Sequence, residues 1–174
     1  MPVRRLNHAV LFVRDVERSV AFYREVLGFA PIDGMAALRG AAFLRAPAST
    51  NDHDLGLFEI GAAAGPSAAG RGTVGLYHLA WEVDTLAELE RLARDLSAAG
   101  ALVGSSDHGT TKSLYAHDPD GLEFEVAWIV PADQLDDGAR EARTRIGRLD
   151  LAREQARYGA DTAGGVGVSH GASA

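Results

Sequence analysis

The chain of 174 residues contains no cysteine. That absence excludes disulfide scaffolds, thiolate-held zinc or iron–sulfur centres, and any thiol nucleophile. A bound metal would have to draw its ligands from His, Asp and Glu. There is also no apolar run of the length that crosses a bilayer. Met1–Leu6 carries two arginines but no apolar core of a secretion signal, so a cytoplasmic protein is expected. Basic charge is in short supply: 17 Lys and Arg stand against 24 Asp and Glu, a net charge of -7. This argues against nucleic acid and against an anionic membrane surface as partners. What is present is a globular composition, 47% hydrophobic, with length for one ordinary domain or two small modules sharing a core.

The chain repeats itself. Leu6-Asn7-His8-Ala9-Val10-Leu11-Phe12-Val13 is strand-like, and Asp15 can cap a following helix whose apolar positions are Val16, Val20, Tyr23 and Leu27, with Gly28 as its stop. Leu76-Tyr77-His78-Leu79-Ala80-Trp81-Glu82-Val83 starts the same sequence of events again. Thr85 with Glu88 fits a capping box, Leu86, Leu89, Ala93 and Leu96 form the stripe, and Gly100 ends it. His8 and His78 occupy matching places, 70 residues apart. Strand-like runs follow each helix, at about 41–45 and 55–60 in the first copy and at about 101–104, 113–116 and 122–129 in the second.

The expected fold class is α+β: two β-α-β-β-β modules in tandem, residues 1–62 and 74–131, whose curved sheets enclose a metal-centred cavity. Residues 63–73, rich in Gly, Ala, Ser and Pro, read as a linker. Residues 132–160 read as a C-terminal helical extension, with a charged surface helix over Asp136–Arg157, and 161–174 as a disordered tail with almost nothing to bury.

Several polar side chains need explaining. His8 alternates onto one strand face with Leu6, Val10 and Phe12; alone it is either a core histidine bonded to a carbonyl or a ligand. The matching His78 favours the second. Glu123 and Glu125 alternate against Phe124, Val126 and Trp128, so their face is either a solvated one or one that directs a carboxylate toward the histidines. Two histidines and one carboxylate form the facial set that holds iron while leaving positions open.

With the Asp118-Pro119-Asp120-Gly121 turn followed four residues after its glycine by Glu125, the sequence resembles the vicinal oxygen chelate superfamily, which groups glyoxalases, extradiol dioxygenases and resistance proteins. The resemblance covers about residues 4–130 and implies His8, His78 and Glu125 as metal ligands. Asp52-His53-Asp54-Leu55-Gly56-Leu57, Asp107-His108-Gly109 and Ser113-Leu114-Tyr115 resemble the short catechol 2,3-dioxygenase-like branch. That likeness implies His53 as an acid–base, Tyr115 as a hydrogen-bond donor to bound substrate, and His108 lining the same pocket. His117 carries no family role and reads as surface.

The function implied is an extradiol-type dioxygenase that cleaves a catecholic ring with O2 at an Fe(II) site. Mn, Ni, Zn or Co are the alternative ions. An imidazole suits the acid–base role because it ionises near neutral pH. Glu59 opens a second reading. It follows His8 by 51 residues as Glu125 follows His78 by 47, and as a fourth ligand it would resemble a glyoxalase- or epimerase-like enzyme using Ni, Zn or Co. Strand register decides which way Glu59 points. A third reading is a non-catalytic binder of an aromatic drug. The partners expected are a small aromatic substrate and O2, and the resemblance also implies pairing as a homodimer.

Overall fold

The computed structural model of the chain describes residues 2–3, 5–33, 39–70 and 72–165. They form two compact units. One comprises Met1–Ser67 with Asp118–Gly121, and the other Ala68–His117 with Leu122–Ala174.

In the first unit, β1 (Ala9–Val13) leads into α1 (Val16–Leu27), then β2 (Ala30–Pro31), β3 (Ala41–Arg45) and β4 (Leu55–Glu59). Asp15 caps α1 by accepting from the Arg18 N–H, and Gly28 ends it in the left-handed conformation at φ 77. The sheet runs β1-β4-β3-β2, with β1 parallel to β4 and the other pairs antiparallel. Leu11, Val13, Leu55 and Leu57 are buried, while Val10 and Phe12, on the alternate face with His8, are exposed. β2 lies beyond the strands expected from sequence. It is two residues long and contains Pro31, which lacks an N–H to donate and suits the sheet edge.

The second unit repeats this order with β5 (Leu79–Glu82), α2 (Leu86–Ala98), β6 (Leu102–Asp107), β7 (Thr111–His117) and β8 (Glu123–Ile129). Its sheet runs β5-β8-β7-β6, and β5 is again parallel to β8. Thr85 caps α2 by accepting from the Glu88 N–H, while the Glu88 carboxylate accepts from Arg91. Phe124, Val126 and Trp128 are buried on one face of β8, alternating with Glu123 and Glu125 on the other, as the pattern predicts. Each sheet is four-stranded and open; neither closes into a barrel.

The C-terminal extension differs from the single charged helix expected over Asp136–Arg157. It forms two short helices, α3 (Asp137–Ala142) and α4 (Leu151–Tyr158). Between them Gly147 leaves helical geometry to pair with Asp107 through two backbone hydrogen bonds of 2.8 and 2.9 Å. Ala139, Leu149, Glu154 and Tyr158 are buried, so the extension packs through these positions while most of its charged residues stay exposed. Residues 161–165, expected as the start of a tail, are also tied down. Gly164 donates to the Asp84 carbonyl, Gly165 to that of Ile129, and Trp128 Nε1 to that of Thr162. Residues 166–174 lie outside the described residues. No helix among the described residues is long and apolar enough to cross a membrane.

Candidate active site

In the second unit, Glu125 stands in register between Ala80 of β5 and Tyr115 of β7. His78 precedes β5 and shares the Ala80 face by alternation. The result is a close pair, with His78 Nε2 3.1 Å from Glu125 Oε2. Two ligands of one ion at about 2.1 Å and at right angles lie roughly 3 Å apart, so this spacing suits two adjacent positions of a metal. His78 Nδ1 is buried without a hydrogen-bond partner among the described residues. The Glu123 carboxylate lies 3.7 Å from it, placed to orient the ring from behind. Glu123 is also 3.8 Å from Nε2 of His117, which is exposed, in keeping with a surface role.

On the same sheet face, Tyr115 lies 5.8 Å from the His78 ring, centroid to centroid. Its hydroxyl is 2.9 Å from His108 Nε2 and accepts from Ser106 Oγ at 3.2 Å, and Ser106 Oγ is itself 2.7 Å from His108 Nε2. Ser106 is buried. These three polar tips complete one another and fix the phenol beside the His78–Glu125 pair. Sequence reasoning singled out Tyr115 and His108 but missed Ser106. Only the β6–β7 register identifies it, by placing it opposite Ser113, two positions from Tyr115.

In the first unit the structure brings His8 and His53 together, with ring centroids 4.4 Å apart. Phe43 stands edge-on to His53 at 5.1 Å. Asn7 Oδ1 lies 2.8 Å from His8 Nδ1 and Asp52 Oδ2 lies 3.1 Å from His53 Nδ1. Each oxygen can accept from Nδ1, and a neutral imidazole donating there leaves the Nε2 lone pair that a ligand or a base needs. The loop that carries His53 is pinned by Asp54, which sequence reading passed over. Its buried carboxylate accepts from the Ala46 N–H at 2.8 Å, Ser49 Oγ at 2.7 Å and Asn51 Nδ2 at 2.7 Å. The Asp118–Gly121 turn also belongs to this unit. Asp120 accepts twice from Arg14, at 2.8 and 2.9 Å. Tyr23 donates to Asp118 at 3.3 Å, and burial, reinforced by the Asp118 charge, holds the Tyr23 phenol well above its ordinary range.

Glu59 does not occupy a ligand position. β1 pairs Val10 with Gly56 as β5 pairs Ala80 with Glu125, so Gly56 is the structural counterpart of Glu125. A Cβ at Gly56 would already touch Phe43 and Val10 at 3.4 Å. Glu59 pairs with Val13 on the helix side of the sheet, where its carboxylate accepts from the Val16 N–H at 3.1 Å. Within each unit, no three His, Asp or Glu side chains among the described residues gather as a metal-holding group.

The repeated modules, their common strand order and the His–Glu pair together define the class of protein. The sequence profile of the glyoxalase/bleomycin resistance protein/dioxygenase superfamily matches residues 5–126, and the chain belongs to that superfamily. Metapyrocatechase 2 of Cupriavidus necator is 31% identical over 138 residues, 75% of this chain and 39% of that protein. Catechol-2,3-dioxygenase of Bacillus subtilis is 32% identical over 127 residues, 70% of this chain and 40% of that protein. The chain thus spans about two fifths of the length of these relatives. Among solved structures, a glyoxylase/bleomycin resistance protein/dioxygenase domain from Frankia sp. EAN1pec superposes with a TM-score of 0.59 at 23% identity, covering 72% of this chain and 92% of that one.

Proposed function

We propose that the chain acts as a metal-dependent extradiol-type dioxygenase, opening a catecholic ring with O2. The observation that carries this reading is the His78–Glu125 pair at ligand spacing with the Tyr115 hydroxyl held beside it. The names of the two curated relatives support it. His78 and Glu125 would hold the metal, and the family resemblance adds His8 as third ligand. Fe(II) is the ion proposed, with Mn or Co, which can also change oxidation state, as substitutes. Bound there, it would supply a Lewis-acidic, redox-active centre for the catechol and dioxygen.

The chain's own groups supply orientation and proton handling. His53, with Nδ1 committed to Asp52, presents a basic Nε2 that would take a catechol hydroxyl proton and later return it. Tyr115 would donate from its hydroxyl to negative charge developing on a substrate oxygen. His108 and Ser106 hold that hydroxyl in place, so little reorganisation is needed when charge appears. The Glu59-ligated alternative is not retained, because that carboxylate serves α1.

The test is anaerobic loading with Fe(II), followed by a catechol panel and oxygen. The expected result is a yellow ring-opened product from at least one catechol. Absence of product across the panel, with metal shown to be bound, would sink the reading.

A further inference from the structure

The matched superfamily profile ends at residue 126, yet residues 139–154 converge on one short segment of the candidate site, Asp107-His108-Gly109. Asp107 exchanges two backbone hydrogen bonds with Gly147. Gly109, at φ +77, lies so close to α3 that an added Cβ would collide with the Ala139 carbonyl oxygen and meet the Ala142 Cβ at 2.7 Å. Arg153 donates to Asp107 at 3.3 Å.

Beneath the sheet lies Lys112, 1% exposed and directly opposite Asp107 in the β6–β7 register. Its ammonium donates to Asp107 Oδ1 at 2.6 Å and to the Gly109 carbonyl at 3.1 Å, the two residues flanking His108. Its charge also faces Glu154 of α4, fully buried, at 2.9 Å, a charge contact outside hydrogen-bond geometry. A buried lysine–glutamate pair is a poor way simply to dock a helix, since apolar residues of similar size do so at least as well. A lysine that donates to the residues on both sides of one histidine, with its charge balanced from α4, suits positioning.

We infer that the C-terminal extension is a positioning element for the candidate site: Glu154, acting through Lys112, fixes the Asp107–Gly109 segment and so aims His108 at the Tyr115 hydroxyl. This rests on the reading that His108 and Tyr115 serve the site. Lys112 and Tyr115 project from opposite faces of β7, so the ion pair acts across the sheet and touches no substrate.

The test pairs Lys112→Met with Glu154→Met, which removes both charges of the pair and leaves Arg153 and Asp107 to balance each other. The expected variant unfolds at a temperature equal to or above that of the parent. Its His108 and Gly109 amides exchange at least tenfold faster, and its His108 imidazole nitrogen resonances move toward those of a free histidine. Fe(II) affinity stays unchanged, and catechol turnover falls about tenfold. A folded double variant with parental exchange and parental His108 resonances would overturn the inference. The unsubstituted protein gives an independent check: the His108, Gly109 and Glu154 amides are expected to open together, with one common denaturant dependence. Independent opening of the His108 segment counts against the inference even if the double variant fails to fold. Exchange and resonance readings need neither metal nor turnover. Lack of ring cleavage in the parent would therefore remove the proposed function while leaving these outcomes to decide the positioning role.

Discussion

The Glu59 carboxylate receives the Val16 N–H at 3.1 Å, at the first turn of α1. An acceptor there satisfies one of the helix's free donors and its charge complements the helix dipole. Replacing Glu59 by Gln is expected to leave metal content unchanged and to lower stability by roughly 0.5–1 kcal/mol. Metal analysis beside chemical denaturation checks this; loss of metal from the variant would return Glu59 to the ligand set.

Glu125 has the opposite expectation. Glu125→Ala removes one of two donors at ligand spacing without touching the buried face of β8. Fe(II) or Mn(II) affinity is expected to fall by about 100-fold or more, with the unfolding temperature of the metal-free protein little changed. Titration calorimetry reads the first, and a thermal melt in chelator the second. Unchanged affinity would move the metal site elsewhere.

Gly109 is held to glycine twice over, by its positive φ and by the Ala139 carbonyl oxygen. Gly109→Ala is expected to cost on the order of 2 kcal/mol or more and to loosen α3 first. Amide exchange resolved by residue would show protection lost at Ala139–Ala142 before the strands. An unaffected α3 would contradict the packing described.

Asp107 gives a pH dependence of defined sign. Burial tends to raise its carboxyl, but hydrogen bonds from Lys112 and the Gly109 N–H, with the Lys112 and Arg153 charges, outweigh that and leave it below the ordinary carboxylate range. A carboxyl depressed in the folded state binds protons more weakly than in the unfolded chain. Its stabilising contribution is therefore full above the unfolded value and is lost as pH falls through the folded one. Melting temperature is expected to drop with acidification in the parent more steeply than in Asp107→Asn. Parallel curves would remove Asp107 from the cause.

The sequence made the repeat legible because period-2 alternation, capping residues and glycine stops recur in both copies and all act locally. Asp15, Gly28 and Thr85 do in the structure what their chemistry predicts. The register of Glu59 was not legible. The spacing of 51 against 47 suggested equivalence with Glu125, whereas the true counterpart, Gly56, follows His8 by 48. A glycine in place of a carboxylate leaves no mark that a count of acidic residues can find. Lys112 was equally silent. Between Thr111 and Ser113 it reads as a polar strand position, and only its distant partner Glu154 explains its burial. The extension's break at Gly147 has the same origin, since its strand partner Asp107 lies 40 residues earlier.

The turn formed by Asp118–Gly121 lies in sequence between β7 and β8 of the second unit but belongs to the first. Folding unit and chain segment therefore do not coincide. A gene fragment ending at residue 67 would encode a first module deprived of the carboxylates that receive Arg14 and Tyr23. The duplication visible in the sequence is thus no longer cleanly separable at the level of the gene: the second copy has become a structural donor to the first, and excising it takes from the first module a turn that it needs.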